Sequence, residues 1–146
     1  MFRRMAISAV VALVVAGGVI AYVWWQDARF TECQRRATTL GAVSLLMEQP
    51  NGVQPDTPYS GCDVDRLVAY AGRQYQGEAS EQAIVSFYQQ IAERDAWLVT
   101  PSGAGVAKLC ARKDVGSGTV YMNLSFPLPG TFDLHIADSP DSGAHC

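Results

Sequence analysis

The sequence predicts an α+β protein: an N-terminal transmembrane helix, then a small two-layer domain of one amphipathic helix packed on an antiparallel sheet of four to five strands. Three observations carry that prediction. Residues 5–25, MAISAVVALVVAGGVIAYVWW, contain no charged side chain. Ala83, Ile84, Phe87, Tyr88 and Ile91 recur with the spacing of one helical face. Beyond residue 105, apolar and polar residues alternate with a period of two between turns rich in Gly and Pro.

Each helical residue rises about 1.5 Å, so 5–25 is long enough for a hydrocarbon core of about 30 Å. Arg3 and Arg4 flank its start, and Tyr22, Trp24 and Trp25 gather at its end, where rings with one polar edge favour the headgroup layer. Membrane lipid is therefore an expected partner through residues 5–25, with 1–26 as anchor and short tail. The alternative is a cleaved signal peptide, because Val19-Ile20-Ala21 places small residues where a peptidase would read them.

Charge alone does not orient the helix, since Arg29, Arg35 and Arg36 follow it within the window that the positive-inside rule counts, as Arg3 and Arg4 precede it. The cysteines do. Cys33, Cys62, Cys110 and Cys146 all lie beyond the apolar run, an even number in a short domain, as expected where disulfides persist. The expected placement is a single-pass protein of the cell membrane, N-terminus cytoplasmic and C-terminal domain periplasmic or extracellular. Reduced thiols in a cytosolic domain are the alternative, and the four cysteines permit three pairings among which the sequence does not choose.

Residues 27–49 read as a juxtamembrane helix or stalk, with Phe30, Cys33, Ala37, Leu40, Ser44 and Met47 along one weakly apolar seam. The seam is too short to argue for a coiled coil, so packing on the domain or a solvated helix is preferred, with a homodimer kept as the alternative. Residues 50–65 read as a linker, because Pro50, Pro55 and Pro58 lack amide donors. The domain proper is then 66–146. It opens with a strand at 66–76, followed by a helix capped by Ser80 and by strands at 106–113, 119–126 and 131–138, with a short one at 97–100. The last three should form a meander. Alternation places Cys110 with Lys108 and Arg112 on the face away from the helix, where a disulfide would hold Cys146 or Cys62.

A net charge of −3 and the lack of a basic run in the domain exclude nucleic acid as an expected partner. No two cysteines are two to four residues apart and only His135 and His145 accompany them, so no metal or other cofactor is expected. No phosphate-binding glycine loop, HExxH, GxSxG or CxxC occurs. The best catalytic set is Tyr121, Asn123 and Ser125 facing Asp133 and His135 across the final hairpin, read as solvated polar residues because an open sheet face offers neither a dry pocket nor an oxyanion donor. Roofing of that face by 50–65 would revive an enzyme reading around His135.

Tyr70, Ser80, Phe87-Tyr88, Trp97 and Leu109-Cys110, in that order, resemble small membrane-anchored or lipoprotein domains of bacterial envelopes over residues 66–138. The resemblance implies a strand leading into a helix with an FY pair, and a module without assigned activity. No lipobox cysteine follows the apolar run, so lipid attachment is not carried over. The function expected is a non-catalytic protein-binding or assembly module of a membrane or envelope complex, with a protein partner there. The alternative is a small-ligand-binding or hydrolytic domain around His135.

Overall fold

The computed structural model describes residues 2–100, 107–116 and 118–139, with side chains from residue 17 onward. The chain separates into two units, residues 1–32 and 33–146. Helix α1 (Phe2–Gly41) supplies the first unit and the opening turns of the second.

In the first unit Val19, Ile20, Tyr22, Val23, Trp24 and Trp25 are all more than half exposed. The Arg29 guanidinium lies 4.5 Å above the centre of the Trp25 ring, and Gln26 Nε2 donates to the Tyr22 hydroxyl at 2.6 Å. The expected membrane span is not found: among the described residues no helix is long and apolar enough to cross a membrane. Residues 5–16, more than half of the stretch 5–25, lie outside those whose side chains are described.

The second unit is built on one antiparallel sheet of six strands, ordered β1-β2-β6-β5-β4-β3. These are β1 (Val53–Asp63), β2 (Val68–Gly77), β3 (Leu98–Thr100), β4 (Ala107–Val115), β5 (Gly118–Leu128) and β6 (Thr131–Ala137). Strands β4 to β6 form the expected meander, β3 extends it on the β4 side, and β2 joins β6 from the other side. The strand count exceeds the expected four to five because residues 50–65 are not a linker. They form β1, an edge strand, where a missing amide on the solvent side costs no ladder bond. Its register shifts between Pro55 and Pro58, so the irregularity falls where the prolines are.

Above one face lie the last turns of α1, from Cys33 to Gly41, with α2 (Ser44–Met47) and α3 (Glu81–Arg94). Ser80 caps α3 as expected, its Oγ accepting from the Ala83 amide at 3.3 Å, and Ile84, Tyr88 and Ile91 are buried. Ala83, placed on the same stripe by the sequence, is exposed. The helix ends where Ala96 turns left-handed at φ 59°, letting the Trp97 amide donate back to the Ala92 carbonyl at 2.8 Å.

The centre of the core is aromatic. Phe132 stacks on Tyr75 with centroids 4.7 Å apart, and Tyr88 meets Phe132 edge-on at 5.9 Å. Leu124, Leu134, Met122 and Ile136 fill the same face, all fully buried. Tyr75 and Tyr88 dispose of their hydroxyl hydrogens on the carbonyls of Leu46 and Glu48, each at 3.1 Å, which ties α2 to the sheet and to α3.

The stalk reading is corrected as well. Cys33, Ala37 and Leu40 keep the expected seam and are buried within the second unit, so the compact domain begins at Cys33 and not at residue 66. The seam stops there: α1 ends at Gly41, and Ser44 and Met47 are exposed while Leu45 and Leu46 turn inward. Cys33 is bonded to Cys62, on the helix-facing side of β1, with Cα atoms 5.8 Å apart.

Candidate functional site

The outer face of the sheet gathers the polar residues singled out above, and register determines which of them meet. One row runs Tyr59, Gly72, His135, Asn123, Cys110 across β1, β2, β6, β5 and β4. In the next row Ser125 stands opposite Asp133, and on the other side Tyr121 stands opposite Ala137. Asn123 and Ser125 therefore face His135 and Asp133 as expected. These residues are not fully exposed, though: Tyr121, Asn123, Ser125, Asp133 and His135 are all half-buried.

Two rings flank His135, one from the segment first read as linker and one from β2. The Tyr59 ring lies over His135 at 6.1 Å between centroids with planes 28° apart, and Tyr70 stacks on the other part of the imidazole at 5.9 Å and 23°. Both tyrosines need a glycine opposite them. Tyr59 pairs with Gly72 and Tyr70 with Gly61. A Cβ on Gly72 would overlap the Tyr59 hydroxyl and stand 2.8 Å from the Leu134 carbonyl oxygen, and one on Gly61 would come within 2.7 Å of the Tyr70 hydroxyl. Each ring thus lies in the space that a side chain would occupy, a cross-strand aromatic–glycine pair made twice in opposite directions.

The Tyr59 hydroxyl is 2.9 Å from both Asp133 carboxylate oxygens and 3.2 Å from His135 Nδ1. A phenol has one hydrogen, which goes to the carboxylate, so Nδ1 completes the set by donating its own to the phenol oxygen. In that tautomer His135 Nε2 is an acceptor. It is buried without a hydrogen-bond partner, and so is its row neighbour Asn123 Oδ1.

Burial governs the protonation of the cluster. It pushes the Tyr59 phenol far above its ordinary value, with the Asp133 charge adding to the effect. It raises the Asp133 carboxyl, against the opposing hydrogen bond from Tyr59 and the charge of His135. It lowers His135, against the opposing pull of Asp133. Above its unfolded value of about 6.5 the imidazole is neutral in both states and stability is at its full value; as pH falls from there toward the lowered native value, the unfolded chain takes up a proton that the native fold resists. Asp133 acts in the opposite sense, gaining a proton more readily when folded, in a window that starts above 3.8. Urea unfolding between about pH 7.5 and about pH 5.5 is therefore expected to show falling stability on acidification, with a flatter profile for His135→Gln. Parallel profiles for the two proteins would refute this assignment.

Chemically the arrangement is an internal relay from carboxylate to phenol to imidazole. It is not a hydrolytic triad: Ser125 pairs across the ladder with Asp133 while the imidazole is engaged by Tyr59. Among the described residues no group of three His, Cys, Asp or Glu side chains could hold a metal ion.

Of the remaining expected residues, Tyr22, Trp24 and Trp25 lie exposed on α1. Cys33 and Cys62 are joined, and Cys110, on the outer face as alternation predicted, is itself disulfide-bonded. Of the two partners expected for it, Cys62 is engaged elsewhere, and Cys146 lies outside the described residues. Sequence reasoning missed Tyr59, Gly61, Tyr70 and Gly72. Their signal was there: Tyr59-Ser60-Gly61 and Tyr70-Ala71-Gly72 repeat one Tyr-x-Gly spacing, which two antiparallel strands bring into mutual register.

No family model, no curated protein and no solved structure matches this chain.

Proposed function

We propose that the chain is a single-pass, membrane-anchored protein whose domain lies outside the cytoplasm and serves as a non-catalytic binding or assembly module for another membrane or envelope protein. The observation that carries this reading is the junction between anchor and domain. The charge-free run 5–25 leads within one helix to Cys33, which is buried and closed in a disulfide with Cys62. A disulfide favours an oxidising compartment, and an apolar run of that length favours lipid as its surroundings. The outer-face polar groups support the absence of catalysis, because Tyr59, Asp133 and His135 spend their hydrogen-bonding capacity mainly on one another.

Carbonate washing of membranes, followed by alkylation without reductant, tests placement: the protein should stay in the pellet with its cysteines unlabelled. Photo-crosslinking in the same membranes tests the binding role, which predicts a discrete adduct with a second protein. Release into the wash, or recovery of the monomer alone at every crosslinker dose, counts against the proposal.

A second reading, a small-ligand domain around His135, is favoured by the roof that Tyr59 and Tyr70 form and by the two buried acceptors beneath it. Unaltered ligand binding and phenotype in His135→Ala would remove it.

A further inference from the structure

We propose that the pocket between α2 and the β1–β2 edge of the sheet binds a small carboxylate through Arg73. The inference concerns the second unit alone and does not depend on where the protein resides.

Arg73 stands opposite Pro58 on β1 and Leu134 on β6, and so shares the helix-facing side of the sheet with Ala71 and Tyr75. A cation in that layer calls for a counter-charge, because a guanidinium withdrawn from water without one is costly. Arginines with accessible side chains have such a partner all the same: Arg36 is paired with Asp138, and the exposed Arg94 with Glu48 and Asp95. Arg73 is half-buried and has no carboxylate within ion-pair distance among the described residues. Its Nε is buried and donates to nothing. Its ionisable neighbours include the hydroxyls of Tyr75, which the guanidinium also engages, and of Tyr88; burial keeps both protonated, and they already donate to the Leu46 and Glu48 carbonyls, while the Asp133 and Glu48 carboxylates act on these tyrosines without pairing with Arg73.

The guanidinium borders a cavity of about 210 Å³ whose other walls include Thr38, Gly41, Leu46, Pro58 and Ser60. That space has room for a short organic acid. One guanidinium without a carboxylate in ion-pair contact matches one negative charge, and its planar fork matches a carboxylate in bidentate fashion. At the rim the Thr38 hydroxyl is committed to the Gln34 carbonyl at 3.1 Å, so Ser60 is the hydroxyl left to donate. The larger cleft, about 380 Å³ beside Arg35 and Arg36, has a different character because Asp138 already answers Arg36 there. With an overall charge of −3 the chain exerts no general attraction on anions, so binding at Arg73 would reflect local chemistry.

Titration of the full chain in detergent micelles with sodium acetate at constant ionic strength, followed by the Nε–Hε signals of its arginines, tests this. One signal, absent from the Arg73→Lys spectrum, should shift and saturate with a dissociation constant on the order of 1 mM to 10 mM. Acetate should also raise the unfolding midpoint of the native chain and leave that of Arg73→Gln unmoved, and Arg73→Lys should protect about tenfold less well, having charge without a fork. The Nε signal is read on the native sequence, so a poorly folded variant leaves the test decisive. No saturable shift at Arg73 overturns the proposal, and a response to inorganic phosphate without one to acetate overturns the assignment to a carboxylate.

Discussion

Replacing Phe132 by alanine is expected to cost about 3 to 5 kcal/mol of stability, the largest effect of any single side-chain truncation in this domain. Phe132 is 1% exposed and touches three other rings: stacked on Tyr75, edge-on to Tyr88, and tilted against Phe126 at 6.0 Å. Its removal forfeits the transfer of a large apolar group and leaves a void that neighbours on two strands and a helix cannot all close. A domain of this size has about 5 to 15 kcal/mol in total, so the variant should be marginal at room temperature. Because Asp133 follows directly on β6, movement of that strand should also loosen the Tyr59 relay on the other face. Equilibrium urea unfolding followed by tryptophan fluorescence measures the first effect, with Phe132→Leu as a milder comparison. A loss below about 1 kcal/mol would mean that the aromatic cluster is not where the core derives its strength.

The second large effect concerns the bond between Cys33 and Cys62. They are 29 residues apart in sequence, and closing a loop of that length restricts the unfolded chain enough to stabilise the fold by about 3 to 4 kcal/mol in the chain-entropy picture. The Cys33→Ala, Cys62→Ala double variant should lose that amount. Adding reductant to the native protein should lower its urea midpoint at least as far, since Cys110 is disulfide-bonded too. The residual response of the double variant to reductant isolates the Cys110 bridge. Coincident midpoints for the native protein with and without reductant would refute the prediction.

The sequence was most informative where a single period ran uninterrupted. Ser80 followed by Ile84, Tyr88 and Ile91 specifies α3 through its cap and its stripe, and both are observed. Alternation in β5 and β6 specifies which residues face the helices, and from that the positions of Cys110, Asn123 and His135 on the opposite side. It was least informative where function of place replaces propensity. Pro55 and Pro58 argue against a strand in general, and they are tolerated in β1 because an edge has a side that needs no donors. The burial of His135 was hidden for the same reason, since its cover is Tyr59, 76 residues away in sequence, and no local pattern reports a contact of that range. The seam through Cys33 left packing on the domain and a solvated helix both open, since only Cys33, Ala37 and Leu40 of its six positions are buried, and the disulfide that fixes Cys33 to β1 depends on a strand the prolines had disguised.

The reciprocal tyrosine–glycine pairs also police the alignment of β1 against β2. Sliding the strands by two residues one way would set Tyr59 against Tyr70 head to head, and sliding them the other way would set Gly61 against Gly72 and Tyr59 against Gln74. Either error strands both rings at once, over a partner with no vacancy for them. A proline-bearing border strand with few apolar residues would otherwise be free to slip, and here two hydrogen-only positions act as the notches that let it seat in one way.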